Sequence, residues 1–185
     1  RFEMNAEKKL FPLLGKTNLD LGTAFHYLKI PKHRRKQFAE ADFVVVSSRG
    51  VLILEAKGGR ISVRQGVWYT KDGEGNVDKL KESPLKQVES AWAALKRMLQ
   101  EKELDVDIDK VNFGFGVMFP DVKLGDVGIE LPKEEVFDAI DWDRRNLGRW
   151  LEKLYKYWSE KTGKTDRLNK HEVAVLCSAM RDEFR

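Results

Sequence analysis

The sequence predicts a mixed α/β domain in which helices cover one β-sheet, and three observations indicate this fold class. Apolar residues recur at helical spacing near both ends of the chain and over 84–99. Runs of β-branched and aromatic residues, separated by turn residues, lie between these helical segments. The resulting order of helix, several strands, helix, strand and further helices is typical of a sheet with helices packed against it. The 185 residues are enough for a single domain with a substantial core.

The first predicted element is a helix over residues 3–15. Asn5 is a candidate N-cap for this helix. Pro12 should bend the helix or end it early, because proline lacks the N–H that a helix interior requires. One face of the helix is apolar at the expected spacing and carries Leu10, Leu13 and Leu14.

Strands are predicted over 24–30 and 36–47, on either side of the basic segment 31–37. The second strand continues into a hairpin over 42–57. Both faces of this hairpin are apolar, which is typical of strands in the middle of a sheet. We therefore expect the hairpin to form part of the core.

Short alternating strands follow over 60–79, with turns predicted at 64–66 and 72–75. A long helix then begins after the N-cap candidate Ser83, with Pro84 at its first position. Its apolar stripe consists of Leu85, Val88, Trp92, Leu95 and Leu99.

A second buried strand is predicted over 111–119, followed by helices over 145–160 and 168–184. Pro120 and Asp121 are interpreted as the end of that strand. The predicted central sheet contains four strands: 36–47, 51–57, 61–64 and 111–119. The predicted organisation is a core over 1–120, with a C-terminal helical extension over 121–185 packed on the same domain.

The hairpin is predicted to place charged residues together at its open end. A turn at Ser48 and Arg49 with a loop of two or four residues puts Asp42 opposite Glu55, whereas an odd loop length shifts the pairing by one. Opposed residues have Cβ atoms roughly 4.5–5.5 Å apart. Lys57 shares their face because side chains alternate along a strand. The sequence therefore predicts two carboxylates and one ammonium in a single patch.

This patch fits metal-assisted hydrolysis of a phosphodiester. Two close carboxylates repel each other, and Mg²⁺ or Mn²⁺ removes that repulsion while keeping several waters. Lys57 is suited to orient or deprotonate a water molecule and to offset charge on the transition-state phosphate. The alternative is a solvated ion pair on an edge strand. The apolar residues on both faces of the hairpin argue against it.

Segments spread along most of the chain resemble the nuclease-related domain family, NERD, of the PD-(D/E)XK restriction-endonuclease-like superfamily. In chain order they are AEKKLFPLL, AEADFVVVSSRGVLILEAKGGRI, GVWY, SPLKQ and FGFGVMFPDV. The last segment is similar to the form of this domain found next to DNA helicases. Ala41 stands where the superfamily often has proline before its first acid, a departure that is ordinary for this family.

The resemblance implies a restriction-endonuclease-like fold, with the C-terminal helices as an addition to it, and a catalytic core of Asp42, Glu55 and Lys57. Asp42 and Glu55 would hold Mg²⁺ or Mn²⁺ together with the Ala56 carbonyl, and Lys57 would position the water. The number of metal ions, one or two, is left open at this point.

The resemblance also adds Glu7 from the first helix and Gln87 from the second. Glu7 would complete the metal shell, and Gln87 would support Lys57 or a water. Glu7 is in step with the apolar face of its helix, although an exposed first-turn acid is the alternative and Glu3 competes with it. For Gln87 the alternative is an ordinary surface glutamine.

The predicted function is Mg²⁺-dependent hydrolysis of nucleic acid, with DNA expected and RNA left open. The domain is expected to belong to a larger helicase-associated or defence protein, with a helicase domain in the same chain. The alternative is a nucleic-acid-binding module without catalysis. The carboxylate pair argues against that alternative, because binding to phosphates requires positive charge only.

Composition adds milder expectations about partners and location. The formal net charge is +4, which favours a polyanionic partner, and Lys32, Arg34 and Arg35 are candidate phosphate contacts. The single cysteine, Cys177, and the lack of a long apolar run predict a cytoplasmic protein without a membrane anchor. The oligomeric state is left open.

Overall fold

The computed structural model describes residues 2–15, 22–32, 37–127, 131–144 and 147–181. The helices in these ranges are α1 (Phe2–Gly15), α2 (Pro84–Glu101), α3 (Ala139–Arg144), α4 (Leu147–Thr162) and α5 (Lys170–Arg181). The strands are β1 (Thr23–Lys32), β2 (Gln37–Ser47), β3 (Gly50–Ala56), β4 (Arg60–Arg64), β5 (Val67–Lys71), β6 (Val77–Lys79), β7 (Phe113–Phe119) and β8 (Val136–Asp138). None of the described helices is both long and apolar enough to cross a membrane.

Five strands form a central mixed sheet in the order β1-β2-β3-β7-β8. The first three strands pair antiparallel, whereas β3 with β7 and β7 with β8 pair parallel. Helices flank this sheet, so the predicted mixed α/β class with additional C-terminal helices is confirmed. The strand β8 lies after residue 120, so the segment predicted as a helical extension also contributes to the sheet.

The predicted strand over 61–64 forms, but its assignment to the central sheet is wrong. This strand, β4, belongs to a separate three-stranded sheet in the order β4-β5-β6. The place beside β3 is taken by β7, which pairs with it from Val51 to Ala56. β4 instead pairs with its immediate neighbour β5 through a short turn in which Gln65 and Gly66 have positive φ. Such a local hairpin closes a short loop and so costs little chain entropy.

The predicted register of the central hairpin is confirmed. Ser48 and Arg49 form the turn, Ser47 pairs with Gly50, and the ladder continues to Phe43 opposite Leu54. Every residue of β3 is buried, which agrees with the apolar character of both of its faces. The paired ladder ends at Phe43 and Leu54, one position before Asp42 and Glu55.

The C-terminal helix α4 anchors the closed end of this hairpin. The Tyr155 hydroxyl lies 3.1 Å from the Val45 carbonyl oxygen and 3.3 Å from that of Gly50. The Asn112 side-chain amide donates to the carbonyls of Arg49 and Tyr155. Because Tyr155 and Asn112 are buried, these hydrogen bonds hold the hairpin firmly relative to α4.

Two glycines of β7 allow α4 to approach the sheet closely. A Cβ at Gly114 would clash with Trp158 Cδ1, and one at Gly116 would lie 2.9 Å from Leu154 Cδ2. The Trp158 indole N–H donates to the Phe115 carbonyl at 2.9 Å, beyond the part of β7 that pairs with β8. Trp158 therefore covers an edge that the short strand β8 leaves open.

We expect Gly114→Ala to lower the free energy of unfolding by about 1–3 kcal/mol, because the new methyl group overpacks a buried contact with a tethered indole. Urea denaturation followed by circular dichroism measures the change. Gly125→Ala is the matched control, since no heavy atom lies within 4 Å of its added Cβ. It should change stability by less than about 0.5 kcal/mol. Equal stabilities of the two variants would contradict the close approach of α4.

Candidate active site

The candidate site lies where the β2–β3 hairpin opens. The ladder between the two strands is regular up to Phe43 and Leu54. Beyond that pair, the backbone N–H of Ala56 donates to Asp42 Oδ2 at 2.8 Å. The Asp42 carboxylate is thus held against the backbone of the residue between Glu55 and Lys57, and Asp42 itself is only partly buried.

Glu55 and Lys57 form a buried ion pair. Lys57 Nζ lies 2.8 Å from Glu55 Oε1, and the two side chains are only 5% and 1% exposed, respectively. Taking both charges out of water is costly, and apolar residues of similar size often stabilise a fold equally well. The backbone at this point is fixed by the parallel strand, because the Lys57 N–H donates to the Met118 carbonyl at 2.9 Å.

The helix α2 covers the face of the sheet that carries these charges. Trp92 of α2 contacts Phe115, which pairs with Ile53. Ile53 and Glu55 point to the same side because side chains alternate along β3. Gln87 lies in the first turn of α2, after the Ser83 side chain caps the helix at the Lys86 N–H, and it is half-buried. Gln87 therefore belongs to the helix that covers the face carrying Glu55.

Glu7 is placed in a different environment. Its Oε2 atom lies 2.6 Å from His26 Nε2, and its side chain is 11% exposed. His26 pairs with Phe43 across β1 and β2 and contacts its ring. Since Phe43 and its neighbour Asp42 point to opposite faces of the strand, Glu7 and His26 lie on the face opposite to Glu55. The helix α1 also contacts α4, on that second face.

The structure therefore brings Asp42, Glu55 and Lys57 together and pairs Glu7 with His26 instead. Within the described part of the chain, no group of three or more His, Cys, Asp and Glu side chains is arranged to hold a metal ion. Two carboxylates and the Ala56 carbonyl are hard oxygen donors, and such a small set suits Mg²⁺ or Mn²⁺, which retain several waters. The donor chemistry of the patch thus fits either ion.

Some predicted contacts fall outside what the structure describes, and other residues were missed. Arg34 and Arg35 lie outside the described residues, as does the side chain of Lys32. His26 is a lone histidine without a spacing signal, so the sequence does not indicate its contact with Glu7. Asp121 was interpreted only as the end of a strand, yet it accepts hydrogen bonds from Lys9 Nζ and the Gly59 N–H. No sequence pattern links residues so far apart.

Comparison with known proteins gives one match, at the level of a family. The model of a family described as "Nuclease-related domain" matches residues 3–113, well over half of the chain. The matched segment includes all five residues of the predicted catalytic set. No curated protein and no solved structure matched the chain.

Proposed function

Because the chain belongs to the nuclease-related domain family, we propose that it is a metal-dependent nuclease that hydrolyses phosphodiester bonds of DNA. The observation that carries the proposal is the buried Glu55–Lys57 pair with the Asp42 carboxylate held beside it. A carboxylate and an ammonium at this depth need a reason beyond stability, since apolar residues of similar size often stabilise a fold equally well or better.

Each residue has a distinct role in this proposal. Asp42, Glu55 and the Ala56 carbonyl provide the oxygen ligands. A bound Mg²⁺ or Mn²⁺ would supply Lewis-acid polarisation of the scissile phosphate and a lowered pKa for the attacking water. The Lys57 ammonium orients that water and stabilises negative charge that develops on the phosphate oxygens. Gln87, at the start of α2, supports Lys57 or a water through its amide.

Glu7 acts indirectly in this scheme. Its contact with His26 holds α1 against β1, and the two residues that follow it in the helix, Lys8 and Lys9, are exposed. We do not assign Glu7 to the metal shell, because Asp42 and Glu55 lie on the other face of the sheet. This differs from the role that the family resemblance implies for it.

The wider context is also part of the proposal. Membership in the PD-(D/E)XK superfamily and a place beside a helicase domain in a larger protein rest on the resemblance in sequence. A cytoplasmic location rests on the single cysteine, Cys177, and on the lack of a long apolar run in the sequence. The competing proposal is a nucleic-acid-binding module that has lost catalysis. Catalysis is favoured because Glu55 and Lys57 form an ion pair and the Asp42 carboxylate binds the backbone between them.

We expect the protein to cleave DNA only when Mg²⁺ or Mn²⁺ is present, because the carboxylates alone cannot offset charge on the phosphate. Supercoiled, linear and single-stranded DNA, together with RNA, should be incubated with and without Mn²⁺. Mn²⁺ should also raise the melting temperature, since a ligand at 100 times its Kd stabilises by about 2.7 kcal/mol.

Glu55→Ala should abolish the Mn²⁺-dependent rise in melting temperature. A rise that persists in this variant would place the metal elsewhere. Salt-dependent binding of DNA without cleavage of any substrate would favour the binding-module alternative instead.

A further inference from the structure

A groove of about 770 Å³ lies beside the candidate active site, and four cationic side chains line it: Lys8, Lys9, Arg60 and Lys71. Gly59 also lines the groove and is only two residues beyond Lys57. Because an extended chain spans at most about 3.6 Å per residue, the Cα atoms of these two residues are within about 7 Å of each other. The groove therefore begins next to the Lys57 backbone.

Two of these cations face each other across a strand pair. Arg60 of β4 and Lys71 of β5 are direct Cα partners in the antiparallel ladder, and both are exposed. Like charges in directly opposed positions destabilise a strand pair. An anion bound between Arg60 and Lys71 would replace this repulsion by two attractive contacts. A hairpin with a purely structural role would not require two opposed cations.

Three carboxylates also line the groove, and two of them are already engaged within the protein. Asp72 accepts hydrogen bonds from the backbone N–H groups of Glu74 and Asn76 and from the Asn76 side chain. The hydrogen bond from the Asn76 side chain is the main cause of the lowered pKa of Asp72. Its charge therefore stabilises the turn between β5 and β6.

Asp121 is engaged in the same way. Burial alone would raise the pKa of Asp121, but hydrogen bonds from the Lys9 ammonium and the Gly59 N–H outweigh it and lower the pKa. The Asp121 carboxylate thereby ties α1 to the chain that leaves β3. This contact fixes one wall of the groove relative to the candidate site.

The groove also exposes backbone to a ligand. Gly59, Gly73 and Gly75 line it, and Gly59 and Gly75 have positive φ. Without a Cβ, these residues allow a ligand to approach the main chain closely. Paired cations and bare backbone together suit an extended chain of phosphates better than a compact apolar ligand.

We propose that this groove binds the sugar–phosphate backbone of the nucleic acid and leads it to Lys57, with Arg60 and Lys71 contacting adjacent phosphates. The identity of the ligand rests on the proposed function. Lys8 and Lys9 form the opposite wall, so the strand passes between α1 and the β4–β5 hairpin.

The test measures DNA binding by the full chain as a function of salt, in the absence of divalent cations, by fluorescence anisotropy. The probes are a labelled 20-mer as single-stranded DNA, duplex DNA and single-stranded RNA. The groove variant is Arg60→Gln with Lys71→Gln. The matched control is Arg149→Gln with Lys153→Gln, which removes one arginine and one lysine from exposed positions of α4 outside the groove.

For the groove variant, we expect the slope of log K against log salt to fall by about 1.4–1.8, the value for two lost phosphate contacts. Its affinity should fall as well, and the fall should be larger at low salt than at high salt. The control should keep the wild-type slope, and Arg60→Lys with Lys71→Arg should restore binding. Melting temperatures of all variants check that they fold. The probe whose affinity differs most between the wild type and the groove variant identifies the form of nucleic acid that the groove binds.

Equal slopes for the groove and control variants would overturn the proposal, as would a wild-type protein that binds none of the probes. A wild-type protein that cleaves DNA in Mn²⁺ while both double variants bind equally would refute the groove and leave the proposed function standing. A third outcome is that the wild-type protein cleaves no substrate, while the groove variant binds nucleic acid more weakly than the wild type. That outcome would refute catalysis and support the groove.

Discussion

Lys57→Ala is expected to lower DNA cleavage by about 100- to 1,000-fold while the protein still binds Mn²⁺. The loss corresponds to the removal of one preorganised electrostatic stabiliser at the reacting phosphate. The ammonium cannot itself be a metal ligand, because it has no lone pair to donate. Its removal also takes away an ammonium that competes with the cation for the Glu55 carboxylate, so the affinity for Mn²⁺ should be equal to or higher than that of the wild type. Calorimetry with Mn²⁺ and a plasmid-nicking assay measure the two quantities separately.

The stability of this variant provides an internal control. In the absence of metal, Lys57→Ala removes the ammonium that pairs with the Glu55 carboxylate, which is only 1% exposed. Breaking a comparable buried pair lowers the free energy of unfolding by about 3–5 kcal/mol. Saturating Mn²⁺ should recover part of that loss by replacing the missing positive charge. A Lys57→Ala protein that cleaves at nearly the wild-type rate would contradict the mechanism, and the binding-module alternative would then be preferred.

Glu55→Gln is expected to lose metal affinity and cleavage together, and Asp42→Asn should do the same. Both changes keep the shape of the side chain but remove the negative charge that balances a divalent cation. Changes to residues that only support a metal ligand cost about 10- to 100-fold in metal affinity, so removing a ligand itself should cost at least as much. The same calorimetric and nicking assays measure both losses. Glu55→Gln with wild-type Mn²⁺ affinity would exclude Glu55 from the metal site.

A double variant separates function from folding at this position. Glu55→Leu with Lys57→Met replaces the buried ion pair by apolar residues of similar length, a change that is often neutral or stabilising by about 1–4 kcal/mol. We expect a folded protein with neither Mn²⁺ binding nor cleavage. Cleavage by this double variant would show that the pair is structural and that the reaction occurs elsewhere.

Several elements could be predicted from the sequence because their signals are local. The apolar runs on either side of Ser48 and Arg49 determine the hairpin register, since a slip of one residue would reverse both faces. Ser83 and Pro84 mark the start of α2 for equally local reasons, a capping hydroxyl and a preset φ. The short helix α3 and the strand β8 were missed, because six and three residues are too few to show a period.

The sequence by itself determined that this protein has a central hairpin with Asp42, Glu55 and Lys57 at its open end, because strand pairing and alternation depend on neighbouring residues. Only the tertiary structure decided what lies next to that patch. It placed β4 in a second sheet, paired Glu7 with His26 on the other face, and assembled the groove from α1, β4 and β5. The physical reason is that these contacts join residues distant in the chain, and their partners depend on how whole elements pack against one another.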